Sequence, residues 1–439
     1  MTSGGRSATE SAAATGRSSS SNKLPTNQNG NAQSSRNGSI FITEGGGITL
    51  PSFCWLIGMP LLLSGRILYG VIAIVVGLIF AVRKAMDDFI QEKDKHEIRY
   101  NVLHPDDIVS ELEDLESSIE SQDKSQKQQQ SIGTTSITSP TEAAMQCTAS
   151  LMALAKKFNQ KQCPDNLPML AQQASYICLR LFPDYDEVIT GSISLLALIA
   201  KDGQVRNRHK YQKDDYGLKL PITSIRKALQ RAQNLDETDE NKEEQLAELQ
   251  RKGCLWLGAL ADTGNSSDSS SAKPKIALAT MIVEQDGLDT ILDAANWFRY
   301  HDGVVNWALW AIFILCYDDA TGSFCKARLV QLGGINTICT SLKNIPDSLE
   351  VNRHGIAILF DLLRQHDQQQ QSENSNSKNT SVPRLDPWEV RKVALASGLH
   401  DVVKNAMIEF ADSMDIMMMG QEMLIGTGYR GDIPQYQQF

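Results

Sequence analysis

The segment Pro51–Val82 most constrains how this chain can fold, because it runs for 32 positions with a single charged residue, Arg66. A helix of about 20 apolar residues is long enough to cross the hydrocarbon core of a bilayer. Pro60 suits the first turn of a helix, where its missing N–H is no loss. The pattern therefore predicts a transmembrane segment over 51–83, with the spanning helix from Pro60 to Val82. A helix buried in the core of a folded domain is the alternative.

Other residues of this segment fit a membrane position. Trp55 and Tyr69 are aromatic residues of the kind that lies at membrane interfaces, and Arg66 is near enough to one end to reach water. Gly70 and Gly77 lie on one helix face and would allow a second helix to approach closely. We expect contact with membrane lipid and, at most, a weak homodimer through the transmembrane helix.

The charges around the segment predict its orientation. Arg83 and Lys84 follow it directly, Lys93 and Lys95 come soon after, and Arg36 is the one basic residue in the thirty positions before Arg66. Positive charge is retained on the cytosolic side of a membrane. We therefore expect an integral membrane protein whose C-terminal part faces the cytosol.

The regions on either side of the segment differ in composition. Residues 1–50 are rich in Ser, Asn and Gly and predict a disordered tail. Residues 84–123 predict charged juxtamembrane and acidic amphipathic helices, and 124–142 predict a Gln- and Ser-rich linker. The apolar stripe of the acidic helix, from Ile108 to Ile119, is compatible either with docking to a partner or with capping the domain that follows.

Composition and motifs argue against several functions. The net charge of −10 disfavours nucleic-acid binding, which requires a basic surface. The eight cysteines and seven histidines show no metal-ligand spacing, so we expect no metal and predict buried, reduced thiols. GTGYRG near the C-terminus lacks the preceding strand that a dinucleotide site needs. The sequence predicts neither a catalytic residue nor a cofactor, although an enzyme with an unrecognised site is kept as an alternative.

Residues 143–412 contain an internal repeat of paired helical patterns. Two copies begin at Gly287 and Gly334, 47 positions apart, and a third contains Gly398. Low-complexity insertions are expected near 263–274 and 365–384, and a Met-rich cap or tail over 413–439. Each helix pair is apolar on two faces, so neighbouring pairs must stack to bury them.

These copies resemble the armadillo-repeat family, whose last helix carries an A-L-x-N-L-A element. The resemblance implies an all-α, armadillo-like helical-repeat solenoid, with a concave groove that binds proteins. The asparagine of that element lines the groove in the family, and the matching positions here are Leu198, Ala259, Ile314 and Asp361, none of which is asparagine. Trp310 retains the tryptophan of the family pattern. These five residues are the candidate partner-binding positions.

The sequence as a whole predicts a membrane-tethered, non-catalytic scaffold or adaptor for an unidentified protein partner. The first alternative is a soluble armadillo-type adaptor in which 51–82 is a core helix. The second alternative is an enzyme with an unrecognised site.

Overall fold

The computed structural model of the chain describes residues 74–79, 81–84, 96–97, 99–126, 140–160, 166–201, 217–235, 239–262, 272–317, 322–372 and 386–435. All regular structure within these ranges is helical, and none of them contains a strand. The predicted all-α class is therefore confirmed. The predicted tail over 1–50 lies outside the described residues. Residues 1–85 and 86–439 form two units.

In the first unit the described residues, 74–79 and 81–84, are helical. Val75, Leu78, Ile79 and Val82 expose between 50 and 59% of their surface there. Of the predicted anchor residues, this stretch contains Gly77, Arg83 and Lys84, while five others lie outside the described residues: Trp55, Pro60, Arg66, Tyr69 and Gly70. Within the described ranges, no helix has both the length and the hydrophobicity needed to cross a membrane.

Residues 96–97 and 99–102 of the second unit are helical, and fifteen helices that follow them are numbered here in chain order. They are α1 (Pro105–Gln126), α2 (Pro140–Asn159), α3 (Leu167–Leu181), α4 (Asp186–Lys201), α5 (Lys219–Gln233), α6 (Glu240–Ala261), α7 (Ala272–Glu284), α8 (Gly287–Trp297), α9 (Asp302–Tyr317), α10 (Gly322–Gln331), α11 (Gly334–Asn344), α12 (Leu349–Ser372), α13 (Pro387–Ala396), α14 (Leu399–Glu409) and α15 (Met414–Gly426).

Most of these helices belong to two series in which each helix packs on the next. In the first series, α2, α4, α6, α9, α12 and α15 each contact the next, and in the second, α1, α3, α5, α8, α11 and α14 do the same. Pairs such as α3 with α4, α5 with α6 and α8 with α9 join the two series. The buried apolar side chains therefore form one continuous core that runs through the whole unit.

The last nine helices form three groups with the same order. In α7–α9, α10–α12 and α13–α15, the middle helix has 11 residues and follows a residue in the left-handed conformation. That residue is Asp286 (φ 62°), Gly333 (φ 77°) or Gly398 (φ 85°). Left-handed backbone favours glycine because a Cβ is crowded there, so two of the three groups use it.

The predicted alignment of the three copies is off by one residue. Gly287 and Gly334 are the first helical residues of α8 and α11, whereas Gly398 is the left-handed residue before α14. Gly398 therefore corresponds to Gly333. A Cβ on Gly334 would lie 2.2 Å from Leu329 Cδ1, so this glycine is needed for close helix packing and not for the turn.

Several predicted boundaries fall near described elements. The apolar stripe of α1 packs on α3, and Ile108 and Leu112 are fully buried there. α12 continues to Ser372, eight residues into the insertion expected from position 365. The Met-rich α15 contacts α12 and α14. The segments 127–139, 263–271 and 373–385 lie outside the described residues.

The cysteines in the described ranges are buried, as predicted for core thiols: Cys147, Cys178, Cys254, Cys316, Cys325 and Cys339. Burial raises the pKa of the Cys254 thiol and of the Cys339 thiol to about 12. A thiol with so high a pKa is a poor nucleophile at neutral pH. These residues therefore act as small apolar core side chains.

Candidate partner-binding surface

Helix α9 is apolar on nearly every side. One face, which includes Val304, Ala308 and Leu315, is buried in the core. The aromatic residues on its other side are Trp307, Trp310, Phe313 and Tyr317, and we call them the aromatic stripe. The first three are partly buried, whereas Tyr317 is 68% exposed. The spacing of three, three and four residues places their side chains along one side of the helix.

Contacts between aromatic rings hold the stripe in place. The rings of Trp307 and Trp310 meet edge to face, with centroids 5.3 Å apart and planes 85° apart. Phe313 and Tyr317 lie 5.2 Å apart in a tilted arrangement. Such pairs contribute about 0.5–1.5 kcal/mol beyond the area that they bury. The stripe is therefore an ordered surface whose rings have little freedom left to lose on binding.

Neighbouring helices supply a lysine and a histidine at the edge of the stripe. Lys201, the last residue of α4, places its Nζ 5.5 Å from the centroid of the Trp307 ring. On the side of α12, the His354 ring lies 6.3 Å from that of Phe313. Burial, and secondarily the charge of Arg353, lowers the pKa of His354, while Glu350 opposes the shift. The imidazole is therefore held in its neutral form at neutral pH.

Three buried polar atoms near the stripe have no hydrogen-bond partner among the described residues: Asn306 Oδ1, Arg353 Nε and His354 Nδ1. They belong to α9 and α12, which pack against each other. A buried polar atom without a partner typically costs about 1–3 kcal/mol. Asn306 was not among the predicted positions, because it lies eight residues before the aligned position, Ile314.

The five predicted partner-binding residues lie on α4, α6, α9 and α12, which are successive helices of the first series. Trp310 and Ile314 lie close together on α9, and both are partly buried. Leu198 is partly buried on α4, whereas Ala259 on α6 is 2% exposed and belongs to the core. Asp361 lies on α12 and forms an ion pair.

Trp310 is also a packing residue between helices. A Cβ added to Gly258 of α6 would lie 2.3 Å from Trp310 Cζ3 and 3.0 Å from Ala311 Cα. The indole thus lies directly against the α6 backbone. Only glycine leaves this space, so Gly258 and Trp310 together set how closely α6 and α9 approach.

Asp361 stabilises the interior of the unit. Its Oδ2 lies 2.5 Å from Nζ of Lys326, whose side chain is 2% exposed, while the Asp361 side chain is 39% exposed. A buried ammonium needs a counter-charge. Asp361 connects α12 to α10 in this way. A substitution of Asp361 therefore changes folding stability as well as any binding surface to which Asp361 contributes.

Two further tryptophans of the second unit differ in exposure. Trp256 is fully buried in α6, whereas Trp297, at the end of α8, is 45% exposed. The described residues bring together no group of three or more side chains suited to binding a metal ion.

Comparison of the chain with protein-family models, with curated proteins and with solved structures gave no match.

Proposed function

We propose that residues 143–412 form an armadillo-like helical-repeat solenoid and that the chain is a membrane-tethered, non-catalytic scaffold for a protein partner. The fold proposal is supported by the three matching groups of helices and by the two series, in which each helix contacts the next. A stack of this kind buries a shared core and leaves a long side of one series for binding.

The single observation that carries the binding proposal is the aromatic stripe on α9. Aromatic residues are enriched among the few positions that dominate the energy of protein interfaces. Tyr317 is 68% exposed at the end of the stripe, and the partly buried Trp307 and Trp310 lie behind it. A partner that covers the stripe gains apolar area from rings that are already ordered, so it loses little side-chain entropy.

The tether is the apolar segment 51–82. Its described helical residues expose Val75, Leu78 and Ile79 by 50% or more. Contiguous exposed apolar side chains are unfavourable in water and favourable in lipid. Arg83 and Lys84 follow and support a cytosolic location for the C-terminal unit.

Fractionation of cells that express the full chain tests the tether. We expect the protein to sediment with membranes, to resist an alkaline carbonate wash and to be released by detergent, whereas a variant lacking 51–82 enters the aqueous fraction. Full-length protein in the aqueous fraction without detergent would instead support the soluble adaptor.

Affinity capture with matched variants tests the binding surface. Tyr317→Ser removes an exposed ring from the stripe, and Trp388→Ser removes a ring that is 62% exposed on α13. We expect one stoichiometric partner to bind the wild type and the Trp388 variant but to be lost from the Tyr317 variant, with circular dichroism unchanged in all three. Equal capture by both variants would contradict the proposal. A metal or nucleotide retained through purification would favour the enzyme alternative.

A further inference from the structure

A cavity of about 350 Å³ lies where the first turns of α6 face the end of α8 and the turn that leads into α9. The cavity and the aromatic stripe share no residue. Its lining consists of Glu240, Glu243, Glu244, Ala247, Trp297, Phe298, Tyr300 and His301. We call this cavity the acidic aromatic pocket.

One wall of the pocket is aromatic. Phe298, the residue that follows α8, is 5% exposed, and its carbonyl accepts a hydrogen bond of 2.8 Å from the His301 N–H. Trp297 is the last residue of α8, and Tyr300 lies within this tight turn. Trp297 is 45% exposed and Tyr300 is 70% exposed. Two large rings are therefore open to solvent beside a concave space.

The opposite wall carries carboxylates. Glu240, Glu243 and Glu244 are exposed in the first turns of α6, and their spacing of three and four residues places them on one side of the helix. Acidic residues stabilise a helix N-terminus by themselves. Stabilising the helix N-terminus does not require these carboxylates to face a cavity lined by aromatic rings. That role therefore does not account for the pocket.

His301 is the one histidine in the lining of the pocket. Its Nδ1 accepts a hydrogen bond of 3.2 Å from the Val304 N–H. Nε2 lies 3.5 Å from Oε2 of Glu244, whose side chain is 73% exposed. The three carboxylates therefore outweigh the positive groups that line the pocket.

We propose that the acidic aromatic pocket binds the side chain of an arginine or lysine in a basic segment of the protein partner. Aromatic faces attract cations, and carboxylates form charge-assisted hydrogen bonds with guanidinium and ammonium groups. The exposed Arg299 already places its guanidinium carbon 5.0 Å from the centroid of the Tyr300 ring, so this ring accepts a guanidinium. An incoming cation meets the exposed rings of Trp297 and Tyr300.

This inference rests on the scaffold proposal and names the chemistry of part of the partner. It is tested with full-length protein in detergent micelles and a fluorescein-labelled, end-blocked peptide, Gly-Ser-Arg-Gly-Ser-Arg-Gly-Ser, by fluorescence polarisation at two salt concentrations. We expect saturable binding that weakens as salt rises. The same peptide with citrulline in place of arginine is expected to bind about tenfold more weakly or not at all.

Variants connect the binding to the pocket. Tyr300→Ser is expected to weaken peptide binding about 3- to 5-fold, as for a partly exposed cation–π contact. Glu243→Gln combined with Glu244→Gln is expected to weaken it about 3- to 10-fold. The control combines Glu409→Gln with Glu422→Gln, which removes the same charge from exposed positions of α14 and α15 and is expected to change binding by less than about 2-fold.

Four results would overturn the inference. They are no binding of the arginine peptide, equal binding of the citrulline peptide, unchanged binding by the pocket variants, and equal weakening by the distal control. N-acetyl-arginine amide provides a further arm, because binding as tight as that of the peptide would make the pocket a site for a free cation. Tyr317→Ser is expected to retain peptide binding, so failure at the pocket is distinguishable from failure of the aromatic stripe.

Discussion

The ion pair between Lys326 and Asp361 predicts that substituting one partner costs far more folding free energy than substituting the other. The Lys326 side chain is 2% exposed, whereas that of Asp361 is 39% exposed. Asp361→Asn leaves a buried ammonium without its counter-charge, and breaking a buried pair in this way costs about 3–5 kcal/mol of folding free energy. Lys326→Met removes the buried charge, keeps most of the volume of the side chain and leaves a carboxylate that water can reach, so its expected cost is below about 1 kcal/mol.

The free energy of unfolding of the full-length protein in micelles, measured by urea titration with tryptophan fluorescence, separates the two variants. We expect Asp361→Asn to lose at least about 2 kcal/mol more than Lys326→Met. The double variant is expected to resemble Lys326→Met, because the two substitutions act on one interaction. If Lys326→Met is the more costly variant, or if the two costs add, the assignment of Asp361 as the counter-charge of a buried lysine is refuted.

Three further predictions concern helix packing, protonation and thiols. Gly258→Ala is expected to cost about 1–3 kcal/mol of folding free energy because its Cβ would lie 2.3 Å from an indole carbon of Trp310. The control Gly426→Ala, whose Cβ would have no neighbour within 4 Å, is expected not to destabilise the protein. Equal urea midpoints for the two variants would contradict this. The pKa of His354 is lowered in the folded state, so the contribution of neutral His354 to folding stability is present above the ordinary pKa of 6.5 and is lost as pH falls below that value. The wild type should therefore lose more folding stability than His354→Gln between pH 7.5 and 5.5. Parallel losses in the two proteins would contradict this. In a variant whose two cysteines outside the described residues are changed to serine, Ellman's reagent at pH 8 is expected to label no thiol in the folded protein and six thiols after denaturation. Rapid labelling of the folded protein would contradict this, because it would show that the cysteines are accessible.

The all-helical class and the core cysteines could be predicted from the sequence because they depend on local patterns. Apolar residues at helical spacing predict helices, and cysteines within apolar runs predict buried thiols. The repeat spacing was also visible, since Gly287 and Gly334 stand 47 positions apart. The register was not, because adjacent Gly333 and Gly334 fit either the turn or the first helical position, and Asp286 occupies the left-handed position in another copy.

The surfaces depend on contacts between residues far apart in sequence. Nothing local indicates that Lys326 is buried or that Asp361 is its partner 35 positions later. Glu240 and Trp297 line one cavity although 57 positions separate them. The family alignment selected Ala259, which lies in the core, and passed over Tyr317, because it compares positions in a motif and not exposed area.

Site-specific photo-cross-linking in cells tests most directly whether the aromatic stripe contacts a protein partner, as we propose. The full-length chain carries p-benzoylphenylalanine at the position of Tyr317 or, as a control, of Trp388, both of which are exposed aromatic positions. We predict one discrete protein adduct from position 317 that is absent from position 388. The same adducts from both positions, or none from position 317, would contradict the account.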